Sequence, residues 1–450
     1  MSQQKLPKVG FVSLGCPKNL VDSEVMLGTL ARQGYSITAQ KEDADVIVVN
    51  TCGFIDSAKK ESIDTILEMA GLKNGGNCKK LVVAGCLAER YRNEIQKEIP
   101  EIDFIFGPDE LGKILEAVQL NGAAVPDVSI DALYNSKEVP TIPRILTTPS
   151  YMAYLKISEG CDHVCTFCAI PGFRGRFRSR SVADLVAESR RLAEQGVREL
   201  VIVSQDTMAY GKDLGMPNGI TTLLRELVEI DGLKWVRFLY CYPNMVSDEL
   251  VRLVAEEDRL CKYFDIPYQH ASRSVLDRMK RGGNREIYER QIEGIRERMP
   301  DAGLRTSFIA GFPGETEDDF NEMLSFMKNV RFDNVGVFLY SDEEGTGAFD
   351  LDQKVPRSTA TQRRNRLMKE QKKISKARLQ GMVGRRVEVL LEGRSEESDL
   401  LLQGRMETQA PDIDGRVLIN DAGDRNVATG GFYEVEITES LEYDLIGKIL

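Results

Sequence analysis

The chain has 450 residues, of which 42% are hydrophobic, and a formal net charge of −11. This length predicts about two to four domains with sizeable cores, and the negative charge argues against tight binding of nucleic acid. We see neither a signal-peptide core nor an apolar run long enough to span a membrane, and therefore expect a cytoplasmic protein that binds no membrane. The nine cysteines are then better explained as metal ligands or buried thiols than as disulfides.

The first region, residues 8–124, alternates predicted strands with predicted helices. Short β-branched or apolar runs end in turn residues; they are Val9–Gly15, Val46–Thr51, Leu81–Gly85 and Phe104–Gly107. Helical stretches such as Ser57–Ala70 and Ala88–Lys97 separate them. The alternation predicts a small parallel α/β domain, and the proline-containing residues 125–148 are expected to form a linker.

Three cysteines follow directly on three of these predicted strands. Cys16, Cys52 and Cys86 end the sequences VSLGC, VVNTC and VVAGC. Loops after neighbouring parallel strands gather at one edge of a sheet, where ligands bind, so we expect the three thiols to converge. A role as buried small hydrophobes would explain one such cysteine comfortably and three poorly. The pattern therefore favours an iron–sulfur cluster with three protein ligands.

The central region, residues 149–379, contains six predicted strand–helix units. The candidate strands are Ala153–Ile157, Leu200–Val203, Val236–Tyr240, Tyr263–Ile266, Arg305–Ile309 and Val335–Tyr340. Six such units predict a partial (β/α)6 barrel, whose functional groups lie at the carboxyl ends of the strands.

A second set of cysteines stands just past the first barrel strand. Cys161, Cys165 and Cys168 are separated by three and then two residues. A cubane of four irons and four sulfides normally takes four thiolates, so three leave one iron open to another molecule. A zinc site would need a fourth Cys or His. His163 could supply it on paper, but its position inside the tight loop makes a tetrahedron difficult to close, and we favour the cluster.

The last region, residues 381–450, contains short strands that predict a five-stranded antiparallel β-barrel. It carries seven Lys and Arg against fifteen Asp and Glu, a net charge of −8. Such a surface repels phosphates and attracts a basic protein, although acidic residues also serve solubility. The stripe Arg174, Arg176, Arg178 and Arg180 could instead bind RNA phosphates or a carboxylate, or pair with acidic loops of the barrel.

Over nearly the whole chain, these motifs resemble the methylthiotransferase family of radical S-adenosylmethionine (SAM) enzymes. The stretches that carry the resemblance are ISEGCDHVCTFCAIPGFRG (157–175), VSQDTMAYG (203–211), DIPYQHAS (265–272), IAGFPGETEDDF (309–320) and LYSDEEGT (339–346). They are most similar to the branch that modifies an aspartate of the S-twelve protein of the small ribosomal subunit. One departure is Gly347, where the family pattern has a proline.

The resemblance implies three domains and two 4Fe–4S clusters. An N-terminal methylthiotransferase domain would precede a radical SAM barrel and a TRAM β-barrel. Cys161, Cys165 and Cys168 would hold the cluster that binds SAM, and Cys16, Cys52 and Cys86 an auxiliary cluster that carries the inserted sulfur. SAM would supply both the methyl group and the radical. A radical is needed because no side-chain base can deprotonate an unactivated β-carbon at neutral pH.

Further residues are expected to contact SAM on the strength of the same resemblance. They are Phe167 near the adenine, Ser204, Gln205 and Asp206 near the amino group, and Gln269 and Gly311 at later strand ends. Ordinary turn chemistry is the alternative for Gly311 and for the neighbouring Gly314. The implied partners are the S-twelve protein or the assembled small subunit, and an electron donor such as flavodoxin or ferredoxin.

Two other functions remain open. A tRNA adenosine methylthiotransferase would share every cluster cysteine, and the acidic last region and the SQDT-type sequence argue against it. A non-enzymatic iron–sulfur redox or sensor protein would need the clusters but no SAM pocket. The strand-end sequences argue against that function.

Overall fold

The computed structural model of the protein describes residues 6–120, 143–396, 398, 400–423 and 425–450. The predicted end of the N-terminal domain, residues 121–124, and most of the predicted linker, residues 125–142, lie outside the described residues. Across the described ranges, no helix is both long enough and apolar enough to cross a membrane.

The N-terminal domain is a five-stranded parallel sheet wrapped by helices. Its spatial strand order is Ser36–Thr38, Lys8–Ser13, Val46–Thr51, Lys80–Gly85, Ile102–Phe106. The α-helices are Pro17–Arg32, Asp56–Gly75, Cys86–Arg90, Arg92–Glu98 and Ile114–Ala117. The four predicted strands are confirmed. The short edge strand lacked an apolar pattern, and the predicted helix Ala88–Lys97 is interrupted at Tyr91, whose φ of −132° is not helical.

The central domain contains the six predicted strands in two three-stranded parallel sheets. The strands are Met152–Lys156, Glu199–Val203, Trp235–Phe238, Tyr263–Asp265, Gly303–Ala310 and Asn334–Leu339. The main helices are Ile170–Arg174, Val182–Glu194, Gly219–Val228, Asp248–Glu256, Arg273–Arg278, Arg285–Arg298, Glu317–Val330 and Arg357–Gln380. A parallel bridge between Val236 and Leu260 joins the two sheets, which confirms the partial barrel.

The inside of this open barrel is filled from both ends. At the carboxyl ends of the strands, Val21 of the N-terminal helix Pro17–Arg32 packs into the inner cluster with Tyr154 and Val203. From the opposite end, Leu390 and Ala410 of the C-terminal domain reach the same cluster. The N-terminal domain therefore covers the edge of the barrel at which functional groups of such folds lie.

The C-terminal domain is a closed barrel of five strands. The strands are Arg386–Arg394, Leu402–Arg405, Val417–Asp421, Phe432–Ser440 and Leu445–Ile449. Four pairings are antiparallel, but Val417–Asp421 and Leu445–Ile449 run parallel. The predicted all-antiparallel barrel is therefore wrong at this one pairing. Strand directions that alternate around a closed ring must repeat once when the number of strands is odd.

A buried ion-pair network attaches the C-terminal domain to the barrel. The fully buried Glu199 carboxylate accepts hydrogen bonds from Arg237, at 2.9 Å, and from Arg405 of the C-terminal domain. Burial alone would raise the pKa of Glu199, but Arg405 and Arg237 outweigh it and lower this pKa to about 2. The Glu199 carboxylate is therefore fully charged at neutral pH, as are its two arginine partners.

We expect Glu199→Gln to lower the free energy of unfolding by about 3–5 kcal/mol, since it removes the carboxylate that pairs with the buried Arg237 and one of the two carboxylates that pair with Arg405. Because the pKa of Glu199 is lowered on folding, its contribution is present above pH 4.5 and is lost as the pH falls toward 2. Denaturant unfolding at pH 7 and at pH 3 measures both effects. The exposed pair Lys234–Glu388 supplies the control, because Glu388→Gln should change stability by less than about 1 kcal/mol. Equal effects of the two variants would contradict the prediction.

Candidate functional site

The three N-terminal cysteines meet at one edge of the parallel sheet. Cys16 precedes the helix Pro17–Arg32, Cys52 follows the strand Val46–Thr51, and Cys86 begins the helix Cys86–Arg90. Their loops touch: a Cβ on Gly15, whose φ is +89°, would lie 2.7 Å from the Cys52 Cβ. The structure therefore brings together the three residues that the sequence predicted to converge.

A buried arginine from the central domain contacts this N-terminal triad. Arg174 Nε donates to Cys86 Sγ at 3.2 Å, and the Arg174 side chain is only 2% exposed. Burial raises the pKa of the Cys86 thiol to about 12, against the opposing effect of Arg174. Burial also acts to raise the pKa of Cys16, but Lys18 and Arg174 outweigh it and hold this pKa below its ordinary value. Cys86 is thus buried, Cys16 and Cys52 are partly buried, and the cations Lys18 and Arg174 lie beside the triad.

Arg174 also belongs to a buried ionic network between the two domains. Its Nη1 donates to Asp22 at 2.8 Å and to Glu159 at 3.0 Å, and its Nη2 donates to Asn19 at 3.2 Å. Lys156 pairs with the same two carboxylates. Asp22 and Asn19 come from the N-terminal helix, whereas Glu159 directly precedes the second triad, so the network connects the two cysteine sites.

The four arginines Arg174, Arg176, Arg178 and Arg180 do not form an exposed basic stripe. Arg174 and Arg180 are 2% and 4% exposed, and Arg180 pairs with Asp184 and Glu188. Arg178 pairs with Asp109, which leaves Arg176 as the exposed member of the four. The interpretation as a phosphate-binding stripe is therefore wrong, and three of the four arginines serve intramolecular ion pairs.

The second triad lies in a loop at the mouth of the barrel, and backbone hydrogen bonds hold this loop in place. Cys161 N donates to Gly175 O at 3.2 Å, and Cys168 N donates to Cys165 O at 3.1 Å. Arg281 Nη1 points at Cys165 Sγ from 3.6 Å. Burial, with a smaller contribution from the neighbouring thiols, raises the pKa of Cys161 to about 11 and that of Cys168 to about 12. The three cysteines are therefore held within one short loop of eight residues, 161–168.

The geometry disfavours a zinc site that includes His163. Its Nε2 lies 2.6 Å from Asp206 Oδ2, and its ring stacks on Tyr242 with a centroid separation of 3.7 Å. Within the described ranges, no three or more His, Cys, Asp and Glu side chains are grouped as a single metal ion requires. The thiolates of an iron–sulfur cluster are held farther apart than the ligands of a single ion, because they bind different irons of the core.

The residues expected to bind the SAM amino group end the second barrel strand and already have protein contacts. Gln205 Nε2 donates to Glu159 Oε1 at 2.6 Å, whereas its buried Oε1 has no hydrogen-bond partner within the described part of the chain. Asp206 holds His163, and Ser204 is fully buried. Phe167, expected near the adenine, packs at the margin of a small apolar cluster that includes Met279 and Phe312.

Close packing also explains why Gly311 and Gly314, after the fifth barrel strand, lack a side chain. Gly311 has a φ of +83°, and a Cβ there would lie 2.3 Å from the Ala360 Cβ of the helix Arg357–Gln380. A Cβ on Gly314, whose φ is +80°, would meet the Arg278 guanidinium at 2.4 Å. Gln269 has a φ of +69°. The contacts of these residues with SAM stay predictions.

Sequence reasoning missed two cations that lie on aromatic rings beside the triads. Lys18 Nζ lies 3.5 Å from the centroid of the Tyr240 ring, and the Arg281 guanidinium lies 4.4 Å from that of Tyr242. Lys18 is 8% exposed and Arg281 5%. A signal was available: Lys18 is two residues after Cys16, and both tyrosines follow the third barrel strand.

Three sequence families match successive parts of the chain. They are the Uncharacterized protein family UPF0004 over residues 8–107, the Radical SAM superfamily over residues 155–327 and the TRAM domain over residues 383–450. Each match falls within one of the three structural domains, and the central match ends before the sixth barrel strand, Asn334–Leu339.

Curated relatives match along the full length. A ribosomal protein uS12 methylthiotransferase RimO from Koribacter versatilis is 50% identical over 490 aligned residues, which cover 100% of this chain and 97% of the relative. A protein of the same name from Solibacter usitatus is 51% identical, with coverage of 98% and 95%.

Among solved structures, the radical SAM methyltransferase TsrM from Kitasatospora setae has a similar fold. Its TM-score is 0.53 at 16% identity, and the match covers 74% of this chain and 75% of that one. At this identity, the likeness concerns the fold alone.

Proposed function

The chain belongs to the family of ribosomal protein uS12 methylthiotransferases, and we propose that it replaces a hydrogen on the β-carbon of an aspartate of uS12 with a methylthio group. The observation that carries this proposal is the 50% identity to a relative of that name over the whole chain. Two cysteine triads at one interdomain seam support it. The boundaries 8–124, 149–379 and 381–450, with a linker at 125–148, are part of the same proposal.

The two triads fit 4Fe–4S clusters in residue type and surroundings. Cys161, Cys165 and Cys168 would hold the cluster that binds SAM, and Cys16, Cys52 and Cys86 the auxiliary cluster. Each triad has a buried arginine at one of its sulfurs, Arg174 at Cys86 and Arg281 at Cys165, which would offset the negative charge of thiolate ligands. When bound, the clusters and SAM supply the electron, the methyl group and the radical that no side chain can supply.

The chain's own residues orient these groups and exclude water. The helix Pro17–Arg32 covers the mouth of the barrel. Its Val21, which is 2% exposed, packs against the residues inside the barrel. The buried ion pairs of Arg174 fix the N-terminal triad relative to the barrel. Gln205 and Asp206 would then be presented to SAM by their contacts with Glu159 and His163.

Charge and packing in the C-terminal barrel favour a protein substrate over tRNA. That region carries a net charge of −8, which attracts a basic ribosomal protein. Arg174 and Arg180 are buried, so they do not offer the contacts with phosphates that tRNA binding would need. Phe432, one of few aromatic residues there, packs edge-on against Trp235 at 4.9 Å. Its ring is therefore occupied by an intramolecular contact.

We expect a methylthio mass gain on uS12 and none on tRNA when the enzyme is assayed without oxygen. The reaction would contain both reconstituted clusters, SAM and a flavodoxin- or ferredoxin-type reductant. Separate tubes would hold isolated uS12, the assembled small subunit or unmodified tRNA, with mass spectrometry of an aspartate peptide or of the nucleosides. A gain on adenosine alone would establish the tRNA function instead. SAM cleavage without any acceptor would still separate an enzyme from a redox protein.

A further inference from the structure

Lys18 is a buried cation to which the protein gives no carboxylate. It is 8% exposed, and within residues 6–120, 143–396, 398, 400–423 and 425–450 no Asp or Glu oxygen lies within 4 Å of its ammonium group. The nearest aromatic group is the Tyr240 ring, with its centroid at 3.5 Å. A buried charge is costly unless it is paired, so this position calls for an anion.

Neighbouring buried cations at the same seam are paired. Lys156 and Arg174 share Asp22 and Glu159, and Arg144 pairs with Glu24 and Glu188. Acidic groups are therefore abundant at the seam. Among the residues that the structure describes, Lys18 has no carboxylate partner because of where it lies within the seam. It projects from the start of the helix Pro17–Arg32 toward the end of the third barrel strand.

The ring beneath Lys18 is held in an unusual backbone conformation. Tyr240 has a φ of +62°, in the left-handed region that non-glycine residues rarely adopt. Its N–H donates to Asp265 Oδ2 at 3.0 Å, and its carbonyl accepts from Thr207 N at 3.1 Å. Residues kept in such conformations by their surroundings cluster at functional sites. Here the conformation places an aromatic platform under an ammonium group.

We propose that Lys18, supported by the Tyr240 ring, binds the side-chain carboxylate of the aspartate that is modified. The inference rests on the proposed function and adds the residue that recognises the substrate. In aspartate, the carboxylate carbon is bonded directly to the β-carbon. An ion pair between Lys18 and this carboxylate therefore holds the reacting β-carbon next to the N-terminal triad. It also favours an aspartate over an adenine, whose base carries no negative charge for Lys18 to bind.

The rival explanation is that Lys18 only offsets the charge of the thiolates of the N-terminal triad. Lys18 is two residues from Cys16 in the chain. On that explanation, removal of the ammonium group would alter the cluster but would not change how the enzyme distinguishes aspartate from asparagine in its substrate. A double-mutant cycle between enzyme and substrate separates the two explanations.

The cycle combines the wild-type enzyme and Lys18→Met with uS12 carrying the natural aspartate or asparagine at the target position. Affinity would be measured by fluorescence anisotropy of labelled uS12, with both clusters reconstituted and S-adenosylhomocysteine in place of SAM. We expect the asparagine form to bind the wild-type enzyme about 10- to 100-fold more weakly, as loss of a charge-assisted hydrogen bond requires. Lys18→Met should bind the two forms within about threefold of each other.

Three further variants complete the design. Lys18→Arg should keep a preference for aspartate, and Tyr240→Phe should keep it because the ring remains. Lys60→Met removes an exposed lysine of the same domain and should behave as wild type. The absorption and electron paramagnetic resonance spectra of the clusters verify that each variant is folded and loaded.

The inference is overturned if Lys18→Met keeps the preference for aspartate, if it loses affinity equally for both forms, or if the wild-type enzyme shows no preference. Mass spectrometry of reactions with SAM and reductant tests the proposed function separately. Methylthio insertion by the wild-type enzyme with an unchanged preference in Lys18→Met overturns the inference alone. Absence of insertion into uS12 overturns the proposed function, and the inference with it.

Discussion

The Cys86→Ala enzyme is expected to lose methylthio insertion completely while it still cleaves SAM. Cys86 is one of three thiols at the N-terminal sheet edge, whereas the other cysteine of this domain, Cys78, lies beside Lys80 at the opposite end of the strand Lys80–Gly85. Two remaining thiolates cannot hold a cluster that already has one ligand fewer than usual. The Cys161, Cys165 and Cys168 loop comes from a different domain and depends on its own hydrogen bonds.

Two measurements on the same sample check this division of labour. Iron content should fall from about eight to about four per chain, and SAM cleavage products should still form in the presence of a reductant. Cys78→Ala is the matched control, since Cys78 is also a buried thiol of this domain, whose Sγ contacts Lys80 O at 3.4 Å. Its iron content and insertion should match wild type. Loss of both activities in Cys86→Ala, with the barrel cluster intact, would contradict the prediction.

The second large effect is expected from Arg174→Met. This change leaves Asp22 and Glu159, 1% exposed each, with Lys156 as the remaining cation of the network. Removal of one partner from a buried ion pair typically costs about 3–5 kcal/mol. We therefore expect a loss of stability of about that size, together with looser attachment of the N-terminal domain to the barrel.

Denaturant unfolding and limited proteolysis at the domain seam measure the two parts of this effect. Arg176→Met serves as the control because Arg176 is two residues away and exposed, so its effect should stay within about 0.5 kcal/mol. Hydrogen bonds to sulfur help to set the potential of a cluster. A redox titration should therefore find a more negative midpoint potential for the auxiliary cluster in Arg174→Met only. If the two variants had equal stabilities and equal midpoint potentials, the Arg174 network would contribute neither to stability nor to the potential of the cluster.

The sequence was sufficient for the elements and for the convergence of the cysteines. The strand Val46–Thr51 is β-branched at every position except Asn50, and this pattern can be recognised from a short stretch of sequence. The convergence of Cys16, Cys52 and Cys86 followed from a general rule, because loops after neighbouring parallel strands share one sheet edge. Neither inference required knowledge of a contact between distant parts of the chain.

The charged residues show where sequence reasoning ends. Arg174 and Arg180 alternate with other arginines in a segment that looks like an exposed stripe, yet both are buried. Arg174 is buried because Asp22, 152 positions earlier, supplies its counter-charge. Gly311 similarly owes its lack of a side chain to Ala360 of a helix that comes much later in the chain.

Residue patterns by themselves predicted the α/β character of the chain, most of its strands and the convergence of Cys16, Cys52 and Cys86, because these depend on periodicity and on short spacings along the chain. Only the tertiary structure decided which charges are paired, which strand pairing closes the C-terminal barrel, and that Lys18 faces Tyr240 without a carboxylate. The physical reason is that a charge is stabilised by whichever group lies within a few ångströms of it. Folding alone brings such groups together from distant parts of the sequence.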